Sequence, residues 1–212
     1  MNKLFFKTIS EHLEFEIPKI KWSRFIGNIF HVENKDEAEI HLKEIQKKYR
    51  EATHNCYAYR FGAKVNFDLF GNLELTPEYM KQSDEGEPTN TAGKPILAQI
   101  QWHELHNILV VVTRYFGGTM LGIGGLIQAY SESAKQTIQQ SKIIEKEITK
   151  NVELTYHFDL MPIVRNLLNK YDAKVIEEEY KENVYMKISI NSGYIEAFKK
   201  EIFENSKGQI KL

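Results

Sequence analysis

Arg114-Tyr115-Phe116-Gly117-Gly118 and, two residues on, Leu121-Gly122-Ile123-Gly124-Gly125-Leu126 form the stretch of this chain best equipped for chemistry. Five glycines within nine residues stand between an apolar run and a helical pattern. Such a backbone approaches a bound group closely, and the free N–H groups of a helix start favour an anion such as phosphate. The spacing fits neither the dinucleotide fingerprint nor the phosphate loop of nucleotide hydrolases. Tight packing of a helix on a sheet accounts for the same glycines, so both readings stand.

A second candidate is Ser83-Asp84-Glu85-Gly86-Glu87-Pro88, continuing through Thr91-Ala92-Gly93-Lys94-Pro95. Six residues separate Gly86 from Gly93 where a phosphate loop needs four, and Pro95 replaces the hydroxyl residue that would hold Mg²⁺. Asp84, Glu85 and Glu87 read as a solvated loop of caps and turns rather than a metal site. His54 and Cys56 share a face if their segment is a strand. Parallel i, i+2 side chains are badly placed for proton transfer, and a lone cysteine reads as a buried structural one. His103-Glu104-Leu105-His106 has one residue too few between its histidines for the zinc-protease helix, and no third ligand follows. No catalytic residue, metal site or cofactor is expected.

The elements that must carry these segments are legible in the apolar spacing. Leu13, Phe15 and Ile17 alternate as a strand closed by Pro18; 25–32 and 54–61 read as further strands. Between them Asn34 or Asp36 caps a helix whose apolar positions are Ala38, Leu42, Ile45 and Tyr49. Residues 62–95 hold a short hairpin around Gly71-Asn72 and then a polar loop from 82 to 95, a length that points to function or disorder. A short helix spans 96–103. Residues 107–115 contain Ile108-Leu109-Val110-Val111-Val112, the run of a central strand buried on both faces, and a helix follows over about 126–141. The charged segment 142–150 is the expected boundary, dividing the chain into 1–145 and 146–212. Beyond it Val152, Leu154, Tyr156 and Phe158 form a strand, and Asp159 caps a helix with Pro162 in its first turn. Residues 175–180 and 184–190 form two strands, Ser192 caps a helix with Ile195, Phe198, Ile202 and Phe203 inward, and 209–212 form an edge strand. That order is βαββαβ, the ferredoxin-like unit of an α+β protein.

Composition bounds the rest. With 28 Lys+Arg against 29 Asp+Glu over 212 residues the net charge is −1, so a nucleic-acid contact must come from a local patch. One cysteine excludes an internal disulfide and a multi-cysteine zinc site. Charges interrupt every early apolar run, and none approaches the ~18 residues of a membrane span. A cytoplasmic protein without a membrane partner is the expectation.

Together these stretches resemble the IMPACT family in its bacterial YigZ-like branch. The resemblance rests on Lys21, Ser23-Arg24-Phe25-Ile26, Ala52-Thr53-His54-Asn55-Cys56, the two segments 83–88 and 91–95, Val111 through Gly118, and Leu121 through Leu126. Glu85 stands where the family pattern has a second Asp, and residues 63–80 lengthen the connection before the acidic loop. The resemblance implies an N-terminal domain like domain IV of elongation factor G and a C-terminal ferredoxin-like domain like its domain V. It also implies a regulatory protein linked to translation that contacts RNA or the ribosome, with a protein partner in translational control as a further partner. Eukaryotic relatives act through an additional N-terminal domain not among these residues, so their particular role is not carried over. Two other classes stay open: an enzyme for a small phosphorylated or anionic ligand, by analogy with small-molecule kinases of related fold, and a protein-interaction module.

The expected binding residues are Ser83, Asp84, Glu85, Gly86, Lys94, Arg114, Tyr115, Phe116, Gly117, Gly118, Gly122, Gly124 and Gly125. Arg114 and Lys94 would meet phosphates, and Tyr115 and Phe116 would stack on bases. The acidic loop and the glycine-rich turn should share one groove, with Arg114 pairing to Asp84, Glu85 or Glu87 when it is empty.

Overall fold

The computed structural model describes residues 3–67 and 73–212. The described elements run β1 (Phe5–Ile9), β2 (Leu13–Glu16), β3 (Arg24–His31), α1 (Lys35–Lys48), β4 (His54–Phe61), β5 (Lys64–Phe67), β6 (Leu73–Thr76), β7 (Tyr79–Ser83), α2 (Gly93–Trp102), β8 (Ile108–Tyr115), α3 (Gly122–Gln140), β9 (Ile143–Glu147), β10 (Thr149–Tyr156), α4 (Met161–Lys170), β11 (Lys174–Tyr180), β12 (Val184–Asn191) and α5 (Ile195–Ser206). They form two compact units. One is Phe6–Lys146; the other gathers Glu147–Leu212 with the N-terminal residues through Phe5.

In the larger unit β8 lies at the centre of an antiparallel sheet ordered β2-β3-β8-β4-β7. Its side chains alternate between two cores. Ile108, Val110 and Val112 join Phe25, Ile29, Cys56 and Ala58 beneath α2 and α3. Leu109 and Val111 join Ile26, Phe30, Tyr57 and Tyr59 beneath α1. Helices on both faces explain why an antiparallel strand is apolar throughout rather than half polar. Asn34 caps α1, its side-chain oxygen accepting from the Glu37 N–H at 2.9 Å, while Glu37 accepts from the Glu33 N–H at 2.8 Å.

Several expectations change. Helix α3 begins at Gly122, four residues before its apolar stripe, so Gly122, Gly124 and Gly125 form its first turn rather than a preceding loop. Packing of the later turns sustains a start whose intrinsic propensity is poor. The segment 142–150, the expected boundary, is paired strand: it contains β9, which pairs with β1, and the start of β10, and the two units divide inside it, between Lys146 and Glu147. Its charges sit on solvated strand faces. Strand β7 continues the sheet to the mouth of the acidic loop. The hairpin turn at Gly71-Asn72 lies outside the described residues, though β5 and β6 pair on either side of it.

The smaller unit is a sheet ordered β10-β12-β11, all antiparallel, with a bridge from Thr155 to Lys211 on the outer side of β10. This is the βαββαβ order, with the expected last strand reduced to that bridge. Leu154, Met186 and Ile188 pack beneath Val164, Leu168, Phe198 and Ile202. Asp159 does not cap α4. It accepts from His157 Nδ1 at 2.8 Å within a short turn ahead of the helix. Asn191 rather than Ser192 caps the turn before α5, and Phe203 faces out, 64% exposed.

Two expected outcomes follow from the larger unit. A Cβ on Gly27 would lie 1.9 Å from Thr137 Oγ1, so α3 approaches β3 closely there. Gly27→Ala should cost about 1–3 kcal/mol in chemical denaturation, and adding Thr137→Ala should recover part of it. His106 is buried beside Arg60, which donates to its Nε2, while Nδ1–H donates to the Gly62 carbonyl at 2.8 Å. Burial, the largest cause, lowers its pKa from 6.5. The unfolded chain therefore takes up this proton at higher pH than the folded one, and stability should fall as pH drops from about 6.5 toward the lowered folded pKa. Urea titrations across that range should show a weaker fall in His106→Gln.

Candidate functional site

Register places Phe25, Arg114 and His54 side by side across β3, β8 and β4, on the face that α2 and α3 cover. One row further into the sheet lie Gly27, Val112 and Cys56. Here the acidic loop folds back over the end of the sheet. Arg114 Nη1 donates to Glu87 Oε1 at 2.6 Å, with side chains only 6% and 3% exposed. Tyr130, from α3, donates its hydroxyl to the same oxygen at 2.8 Å. The guanidinium also lies 5.7 Å from the Phe25 ring centre and 5.5 Å from that of Phe116, while its Nε has no partner among the described residues.

Cys56 ties into the same cluster, donating to the Asp84 carbonyl at 2.9 Å. Burial pushes its thiol up to about 12 and raises the Tyr130 phenol well beyond its ordinary value. Both stay protonated at neutral pH. His54 Nδ1–H donates to the Glu85 carbonyl at 2.8 Å, leaving Nε2 3.9 Å from Glu87 Oε1.

The acidic loop is braced from within. The Asp84 carboxylate accepts from the backbone N–H groups of Asn90, Ala92 and Gly93 at 2.8–2.9 Å, satisfying the start of α2. Ser83 donates to Glu85 at 2.9 Å. Gly86 adopts φ +88° against the His54 ring. Glu87 is the partner that Arg114 takes among the three acids.

Glu87 and Pro88 from this loop, Thr53 and His54 from before and within β4, and Arg114, Phe116, Met120, Leu121, Gly122, Ile123 and Leu126 line one cavity of about 330 Å³. The loop and the glycine-rich turn thus share a groove, walled by apolar side chains over a polar floor. Met120 is 86% exposed and Ile123 66%. Helix α3 opens on this groove with no side-chain cap and no acidic residue in its first turn.

The other candidates lie around it. Lys94 is exposed in the first turn of α2. Tyr115 belongs to the opposite face, under the Arg24 guanidinium at 5.2 Å. Gly117 donates its N–H to Ser23 Oγ at 3.1 Å, and a Cβ there would lie 2.1 Å from the Trp22 carbonyl carbon. Gly118 and Gly124 face open space, whereas a Cβ on Gly125 would meet Leu121. Thr53 and Ile123 stood within quoted motifs but not among the expected binding residues, and Met120 lay outside every motif, although an apolar residue among glycines was a signal. Among the described residues no group of three or more His, Cys, Asp or Glu is placed to hold a metal ion, and no helix is long and apolar enough to cross a membrane.

Fold and site define a two-unit α+β protein whose acidic loop and glycine-rich helix start close one groove. Residues 21–138 match the family described as the Impact N-terminal domain, and 154–209 match a domain of unknown function, DUF1949. An IMPACT family member of Haemophilus influenzae is 33% identical over 91% of this chain and 88% of its own length. The IMPACT family member YigZ of Escherichia coli is 29% identical over 92% and 91%. A crystal structure of a hypothetical protein, 26% identical, superposes with a TM-score of 0.70 over 100% of this chain and 97% of that one. The chain belongs to the IMPACT family, in its YigZ-like bacterial branch.

Removing one partner of the buried ion pair strands the other. Glu87→Ala and Arg114→Ala should each cost about 3–5 kcal/mol, and the double variant less than their sum, as thermal and urea unfolding of all four proteins would show.

Proposed function

We propose that this chain is a non-enzymatic binding protein linked to translation, acting in the cytoplasm, whose groove holds single-stranded RNA, free or on the ribosome. The observation that carries the reading is the pairing of an exposed aromatic and apolar wall with an uncapped helix start. Phe116 and Met120 offer a base a surface to stack on, and the first N–H groups of α3 suit the adjoining phosphate. Arg114, paired with Glu87, serves as a brace for the floor, and Lys94, exposed in the first turn of α2, is a further cation for the phosphate backbone. The finer likeness to domains IV and V of elongation factor G belongs to the same proposal.

The cavity also suits the runner-up, an enzyme for a small phosphorylated ligand, because its volume would hold one. Against it, the Cys56 thiol and the Tyr130 phenol both keep their protons, and Glu87 is taken up by Arg114 and Tyr130.

Fluorescence anisotropy with a labelled single-stranded oligonucleotide at low salt is the test. Wild type should bind, and Phe116→Ala should weaken binding about tenfold, ~1.4 kcal/mol. Absence of RNA and ribosome association even at low salt, where phosphate contacts are strongest, would sink the reading. Stabilisation by nucleotides or sugar phosphates in a thermal-shift screen would move it to the runner-up.

A further inference from the structure

Lys21 and Trp22 occupy the tip of the hairpin between β2 and β3. Ile20 and Ser23 close it with reciprocal backbone hydrogen bonds of 3.0 Å. Both central residues are left-handed, at φ +45° and +68°, the pattern of a turn that normally takes Asn and Gly. Here the second position carries a tryptophan that is 75% exposed. A large ring set in an unfavourable backbone conformation, with little packing in return, breaks a local rule in the way functional positions do. The tip is also anchored. Gly117 presses against the Trp22 carbonyl carbon, and its N–H is held by Ser23 Oγ.

Its surroundings say what the ring meets. Ile20 and Lys21 line a second depression, of about 460 Å³, together with Leu121 and Gly125. Leu121 lines the first groove too, so the two depressions flank the opening turn of α3. Lys19 and Lys21 are exposed, and the nearby carboxylates are engaged. Glu16 is held by Arg24 at 2.8 and 2.9 Å, and Glu132, in the second depression, accepts from Gln136 at 2.7 Å. An exposed ring that directly follows exposed Lys21, with Lys19 exposed as well, suits a flat base on a polyanion better than an apolar peptide.

We infer that Trp22 is a second stacking station for single-stranded RNA, which passes from the Phe116 groove across the start of α3 to the Lys21–Trp22 tip. This rests on the RNA reading above and extends it by one nucleotide-binding position. The sequence holds two tryptophans, so Trp102→Phe leaves Trp22 as the sole indole emitter. Titrating that variant with short oligoadenylate and oligouridylate should quench its emission. Trp22→Asn, which suits the left-handed turn, should bind about tenfold more weakly by anisotropy, with a thermal midpoint unchanged or higher. RNA that binds wild type and Trp22→Asn equally, or binds without quenching Trp22, would overturn the inference and leave the RNA reading standing. A thermal midpoint lowered in Trp22→Asn would reassign the ring to structure and overturn it too. Failure of every oligonucleotide to bind wild type at low salt would remove both together.

Discussion

A carboxylate and a guanidinium buried side by side, Glu87 against Arg114, hold the end of the larger unit together. Two charges withdrawn from water are tolerable only when each is matched. Tyr130 adds a hydrogen bond to Glu87, and the Phe25 and Phe116 rings both lie within cation–π distance of the guanidinium. The pair joins parts far apart in the chain: the acidic loop, the end of the central strand and the third helix. Without it the loop over residues 84–92 would be tied to the sheet only by the hydrogen bonds of Cys56 and His54 to its carbonyls, and Glu87 would no longer be fixed in the wall of the groove.

The loop itself shows how a polar segment becomes rigid without a hydrophobic core. Asp84 closes three backbone N–H groups, and its carbonyl takes the Cys56 thiol. Residues whose types suggest ligand binding are thus largely occupied with the protein's own backbone. What faces outward is the apolar part, Phe116, Met120 and Ile123, beside the unmasked start of α3. The open surface of the groove is thus mainly apolar, with its charged groups beneath.

Much of this was legible in the sequence. The unbroken apolar run 108–112 placed the central strand, Asn34 or Asp36 marked a helix start, and the βαββαβ order followed from Leu154, Met186 and their neighbours. The shared groove followed from where Tyr115 ends its strand. Other features were hidden for physical reasons. Glycines at 122, 124 and 125 read as loop because local propensity cannot see the tertiary packing of Leu126 and Tyr130 that draws the helix back to them. Strand β9 was hidden within the expected boundary segment because Glu145 and Glu147 sit on a solvated face, where charge says nothing of backbone pairing. The choice of Glu87 over Asp84 as the partner of Arg114 depends on the turn at Gly86, which no spacing rule encodes.

The paired ends of β4 and β7 have a corollary for the chain between them. Phe61 lies opposite Tyr79, and the Glu78 N–H donates to the Phe61 carbonyl at 3.0 Å, so the sheet closes beneath β5 and β6 as though they were absent. Loop-closure entropy grows only with the logarithm of length. The interval 63–77 is therefore a branch point, where a change of length costs little in closure entropy and leaves the pairing of β4 with β7 in place.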